Sequence, residues 1–201
     1  MDRASLFKVM ARNCNISKNI EYLHLINLKK RVGKMTNFEQ EMINVLEHHV
    51  EAEMNGNLEL TMSTMTENPH LLNIPNMMGG DDFEGVKTFY KDHLVGKFFP
   101  PDVEFNRISL TIGKDQIVEE LVICFTHTKK VDWCLPNIEP TNQKVKMCVV
   151  VIAGIKDKKL THEHIYWDQA SVLVQVGLLD PKNLPVVGDQ SANKLLKITK
   201  I

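Results

Sequence analysis

The chain has 201 residues, 43% of them hydrophobic and 24% charged, with a formal net charge of −1. That length suits one domain with tails, and the near-neutral balance gives no basis for binding nucleic acid or an anionic membrane surface. Apolar runs fall well short of the ~20 residues that span a bilayer, and Cys14, Cys124, Cys134 and Cys148 lack metal-type spacing, so they read as reduced thiols of an intracellular protein.

The charge is unevenly spread. Residues 1–35 carry eight Lys/Arg against Asp2 and Glu21, so this arm is about +6 and the remainder −7. Two readings stand side by side: a disordered basic extension on a cytoplasmic protein, or an acid-poor mitochondrial transit segment. The domain is predicted over 36–181, and 182–201 form a C-terminal extension with a short basic helix at Ser191–Lys200.

Thr36-Asn37-Phe38-Glu39 fits a capping box, and Met42, Val45, Leu46 and His49 then recur at helical spacing. Asn55-Gly56-Asn57 breaks that helix, and Leu58–Thr66 continues as a second piece. Glu67–His70 reads as a turn, and Leu71–Pro75 as a short strand at an edge, because Pro75 cannot donate to a ladder. Met77–Asp82 is a loop whose paired glycines lack the GK[ST] of a phosphate loop. A helix over Phe83–Leu94 follows. Strands are predicted at Val103–Ile112, Gln116–Thr128, Gln143–Ile155 and Leu160–Trp167, joined largely by short turns, so an antiparallel meander is expected. Helices first and strands after is the α+β class.

The last strand carries the most chemistry. By strict alternation Leu160, His162, His164, Tyr166 and Asp168 share one face, a titratable row ending in a carboxylate. Asp168 has two readings. It is a favoured helix N-cap ahead of Val172, Leu173, Val176 and Gly177. In an apolar cavity it would instead be a carboxyl with a raised pKa, suited to acid–base work. On Gln116–Thr128, His127 shares a face with Leu121 and Phe125 and is either a satisfied core residue or a cavity wall. Trp133, in a long loop, either lids the cavity or anchors the loop, and His49 is core or wall. His162 and His164, two apart on a strand, could reach one metal with His127 or Glu163. Glu163 faces the other way, which ranks this below a metal-free pocket.

The order of elements, Glu84-Gly85-Val86-Lys87-Thr88-Phe89-Tyr90, Phe125-Thr126-His127-Thr128 and Glu163-His164-Ile165-Tyr166-Trp167-Asp168 resemble the SnoaL-like polyketide cyclase branch of the nuclear transport factor 2-like superfamily. The resemblance spans about three quarters of the chain. It implies a cone-shaped, curved antiparallel sheet with N-terminal helices closing an apolar cavity, and a homodimer. It also implies an acid–base role for the Asp that closes the last strand, here Asp168, without cofactor or metal. The epoxide hydrolase's Arg–Asp pair has no clear counterpart in Glu119-Glu120-Leu121-Val122. The expected activity is that of a cyclase, isomerase or hydrolase acting on a small apolar carbonyl compound. Catalysis would fall to Asp168, His127 and Tyr166, with His164, Trp133, His49, Phe125 and Tyr90 contacting the substrate. A binding module of the same fold is the alternative.

Overall fold

A computed structural model describes residues 35–201. The basic arm, apart from Met35, lies outside the described residues. Helix α1 (Asn37–Met54) buries Met42, Ile43, Leu46, His49, Ala52 and Glu53, a stripe at three- and four-residue spacing. Gly56 sits at φ +67° in the turn after it. Asn57 then caps α2 (Leu58–Ser63) by accepting from the Leu60 amide at 3.0 Å. Strands β1 (Met65–Asn73) and β2 (Met78–Gly80) lead to α3 (Phe83–Phe89), which widens into a π-helical turn at Tyr90–Leu94. Strands β3 (Glu104–Ile112), β4 (Gln116–Thr126), β5 (Lys144–Lys156) and β6 (Lys159–Trp167) follow, then helices α4 (Gln169–Gln175) and α5 (Gln190–Thr199). Among the described residues no helix is long and apolar enough to cross a membrane.

The six strands form one sheet in the order β2-β1-β6-β5-β4-β3. The meander β3–β6 is antiparallel as expected, but β1 pairs with β6 in parallel, so the sheet is mixed. Two further expectations need correction. The second helix ends at Ser63, and the stretch assigned to a turn at Glu67–His70 belongs to β1. A register shift between Met65 and His70 takes up Pro69, whose missing N–H the ladder could not use. The edge position falls to β2, while β1 lies inside the sheet.

Helix α1 packs on β4, β5 and β6. The rows facing it are matched across the register: Glu163 beside Ala153 and Ile117, Ile165 beside Val151 and Glu119, Trp167 beside Val149 and Leu121, with Arg107 next in line. Further along, Phe98, Phe99, Phe105, Phe125, Trp133 and Trp167 form one aromatic group with centroid separations such as 5.3 Å for Trp133–Trp167 and 5.4 Å for Phe99–Phe105. On the opposite face α5 covers β5, with the Lys146 ammonium donating to Asn193 at 2.7 Å. Gln175 of α4 brackets the Lys146 peptide group, accepting from its N–H at 2.7 Å and donating to its C=O at 3.0 Å. That side chain satisfies β5 where β6 has already ended.

Gly80 shows how closely α3 is seated. A methyl group there would lie 2.2 Å from the Gly85 carbonyl carbon and the Val86 nitrogen, both backbone. Gly80→Ala is expected to lose at least about 2 kcal/mol in a urea unfolding titration, because backbone atoms on both sides must separate.

Candidate active site

The interior facing α1 holds a connected set of titratable groups. His49 on α1, fully buried, meets Glu53 one helical turn later with Nε2 3.2 Å from the Glu53 carboxylate. Its Nδ1 lies 2.6 Å from the Thr64 hydroxyl, which itself donates to the Thr61 carbonyl at 2.6 Å. The Tyr90 hydroxyl donates to Glu163 Oε2 at 2.6 Å and sits 3.0 Å from His49 Nε2. Glu163 reaches the cluster from β6, with Oε2 3.6 Å from the same nitrogen. Tyr90 occupies the first position of the π turn and is fully buried.

The donors fix the protonation state. The Thr64 proton is spent on Thr61, so Nδ1 must donate to Thr64. The Tyr90 proton is spent on Glu163, so Nε2 must donate to the Tyr90 oxygen. An imidazole that donates from both nitrogens is the imidazolium. The electrostatics agree. Burial works against the charge on His49, but the Glu53 carboxylate and hydrogen bonding to Glu163 and Glu53 outweigh it and push the pKa up to about 10. Burial also opposes charge on Glu163, yet hydrogen bonding and attraction from His49, with the Tyr90 donor, hold its pKa below the usual value. On Glu53 burial prevails over the pull of His49, and the pKa is raised. Tyr90 is raised by burial first and then by the two neighbouring carboxylates, so its hydroxyl keeps its proton. The result is a chain in which His49 donates on both sides, through Thr64 to Thr61 and through Tyr90 to an ionised Glu163.

A second charged group lies two strands away on the same face. Arg107 donates through Nε to Glu119, which is buried. Burial raises the Glu119 pKa against the pull of Arg107, and Glu163 adds to the rise. Glu47 of α1 is raised chiefly by burial, with Arg107 opposing. Between the two charged groups lie Val151 and Ile165, apolar and only half-buried on rows whose neighbours Ala153, Val149 and Trp167 are buried.

The residues expected from sequence separate. His49 and Tyr90 stand in the buried cluster. Phe125 and Trp133 belong to the aromatic group, with the Trp133 indole donating to the Phe98 carbonyl at 3.0 Å, which anchors its loop. His127 is buried at the end of β4. Its Nδ1 accepts from the Thr141 amide at 3.3 Å, its Nε2 has no partner among the described residues, and burial lowers its pKa. The titratable row of β6 needs correction. Glu163, Ile165 and Trp167 face α1, so His162, His164 and Tyr166 project from the opposite face, with Tyr166 41% exposed. They are not brought to the interior with Asp168. Asp168 itself is exposed and caps α4, accepting from the Ser171 amide at 3.1 Å and the Ser171 hydroxyl at 2.6 Å. The premise of a carboxyl desolvated in a cavity does not describe it.

Glu53, Thr64 and Arg107 are not among the residues expected from sequence, and Glu163 is given a role there only as a metal ligand and Glu119 enters only within Glu119-Glu120-Leu121-Val122. The signal for Glu163 was present: Thr161, Glu163, Ile165 and Trp167 form the more apolar row, which marks the core face, with one carboxylate in it. Likewise Arg107 and Glu119 interrupt otherwise apolar strand faces. His49, Glu53 and Glu163 are the one group of three metal-type donors found within 4.8 Å of one another among the described residues. Their contacts are those of a protonated ring, whose Nε2 has no lone pair to offer a cation.

No protein-family model matches the sequence, and no curated protein matches it. Solved structures do. A provisionally named SnoaL-like polyketide cyclase from Jannaschia sp. CCS1 superposes with a TM-score of 0.59 at 14% identity, over 74% of this chain and 100% of that one. IdmH from Streptomyces antibioticus, also provisionally a polyketide cyclase, gives 0.51 at 18% identity over 67% and 96%. An epoxide hydrolase of the LEH-like type from M. tuberculosis gives 0.50 at 12% identity over 68% and 90%. The chain therefore has the SnoaL-like form of the nuclear transport factor 2-like α+β fold.

Two outcomes are expected from the site as described. The His49 pKa is raised from 6.5 to about 10 in the folded state, so its contribution to stability is complete below about pH 6.5, shrinks as pH rises and is gone above about pH 10. Imidazole NMR should show His49 still charged at pH 8, and unfolding titrations should show stability declining over that window. Asp168→Ala should cost about 1 kcal/mol, as loss of an N-cap does, measured by thermal unfolding.

Proposed function

We propose that the protein is an acid–base enzyme acting on a small apolar carbonyl compound, with Glu163 in place of Asp168 as its proton-transferring carboxylate. The observation that carries this reading is the buried Glu163–Tyr90–His49 chain. Ionised groups are expensive to bury, and several in one interior are a mark of sites that use charge. Fold neighbours that include provisionally named cyclases lend support at the level of architecture alone.

In this reading the substrate lies on Val151 and Ile165 with a carbonyl-activated C–H toward Glu163. Glu163 takes that proton, and the electron pair of the C–H bond moves through the new C=C bond onto the carbonyl oxygen. The Tyr90 hydroxyl, released from the now neutral carboxyl, turns to donate to the enolate oxygen. His49 stays charged behind Tyr90 and strengthens that donor. The proton then returns from Glu163 to the enolate carbon, or to the γ-carbon when the substrate carries a β,γ double bond and the intermediate is a dienolate, so the carboxylate is regenerated and no cofactor is consumed. Arg107, held by Glu119, faces the far end of the same apolar strip and orients a polar substituent there.

The test uses deuterium exchange into 1-tetralone and β-decalone in D2O, followed by mass spectrometry. The wild type should exchange protons next to the carbonyl faster than buffer. Glu163→Gln should reduce the enzymatic rate by roughly 10²–10⁴-fold, and Tyr90→Phe should reduce it less, while Asp168→Asn keeps at least half. Exchange that depends on Asp168 and not on Glu163 would overturn the assignment. Binding of these ketones without any exchange would make the protein a ligand-binding module.

A further inference from the structure

The face of the sheet opposite Glu163 carries a cluster that the proposed reaction does not use. Parallel pairing sets His70 of β1 against His162 of β6 and Leu72 against His164. Side chains two apart on one strand share a face, so three imidazoles from two strands converge. His70 and His162 stack at 4.9 Å with planes 6° apart, His162 and His164 lie 4.7 Å apart, and His70 and His164 lie 5.1 Å apart. The Nε2 atoms of His70 and His164 face each other at 3.0 Å. His162 is held by a contact of its Nδ1 with the Thr161 hydroxyl at 3.0 Å. His70 is exposed and the other two are half-buried, so the group is open to solvent.

The geometry points to a transition-metal site on the outer face of the β1–β6 seam, in which His70 and His164 hold one ion of the Zn²⁺ or Ni²⁺ class through their Nε2 atoms. Two neutral imidazoles can face each other nitrogen to nitrogen only by sharing a proton, and an ion replaces that proton while using both lone pairs. For metal–nitrogen bonds of about 2.05 Å, a 3.0 Å bite subtends about 94° at the metal, between the square and tetrahedral angles. Imidazole donors favour Zn²⁺, Ni²⁺ and Cu²⁺ over Mg²⁺ and Ca²⁺. The His162 ring, stacked on His70 and fixed by Thr161, keeps His70 turned toward His164. Water completes the coordination on the open side. An ion here ties β1 to β6, the one parallel seam in the sheet.

Isothermal titration of the untagged full-length chain with ZnCl2 and with NiCl2 tests the site. The wild type should bind one equivalent that Mg²⁺ does not displace. His70→Ala and His164→Ala should each weaken this binding at least tenfold, whereas His48→Ala, an exposed histidine on α1, should leave it unchanged. The ion should also raise the melting temperature of the wild type and of the His48 variant, and not that of the other two. His70→Asn and His164→Asn, which keep a polar side chain on the strands, repeat the comparison if either alanine variant folds poorly by circular dichroism. Wild type that binds neither ion, or His70 and His164 variants that bind like wild type, would overturn the assignment. Glu163 lies on the opposite face of β6, so this outcome is independent of the ketone exchange result.

Discussion

The structure depends on one buried charge. Glu163 is ionised in the interior of the sheet because His49 is charged beside it and Tyr90 donates to it at 2.6 Å. Removing one member of such a set leaves an uncompensated charge, which typically costs about 3–5 kcal/mol. The elements that supply the partners are therefore held in place by more than apolar burial. Helix α1 must present His49 to the sheet, Thr64 must follow α2 directly, and α3 must end in a turn that carries Tyr90 inward. His49 donates on both sides, through Thr64 to Thr61 and through Tyr90 to Glu163, so each group fixes the orientation of the next.

The same cluster sets its two glutamates apart. Glu53 and Glu163 both touch His49, yet their pKa values move apart, one up and one down. A pair of carboxyls pushed in opposite directions is a recurrent arrangement in acid–base sites. On Glu53 burial prevails over the pull of His49, whereas on Glu163 hydrogen bonding to and attraction from His49, with the Tyr90 donor at 2.6 Å added, prevail over burial.

Much of the architecture was legible from the sequence. The helical spacing of Met42, Leu46 and His49 and the alternation along β4 and β5 each follow from a local rule and hold in the structure, whereas the stretch Met77–Asp82, read as a loop, contains strand β2 at Met78–Gly80. What failed was non-local. Glu67–His70 reads as a turn, yet a register shift between Met65 and His70 lets β1 continue through Pro69 and pair with a strand some 95 residues later. The β6 histidine row looked functional because it is titratable, but a sheet face is chosen by its apolar members, and Ile165 and Trp167 chose the other one. Asp168 was read both ways, and its exposed position and two bonds to Ser171 are those of a cap. The interior cluster draws its members from α1, α2, α3 and β6, so no single window of sequence contains it.

The parallel seam between β1 and β6 has a consequence for how the molecule is made. The ladder that joins the first part of the chain to the sheet closes only with β6, whose residues 159–167 come late in synthesis. Until then β1 has only the three-residue strand β2 beside it, and His49 lacks Glu163. Contacts of such long sequence separation are slow to form, since the loop entropy precedes the reward. On the ribosome the interior charge and its counter-charge therefore meet among the last events, and a chain released before β6 has emerged holds the helix but not the partner that makes its histidine welcome inside.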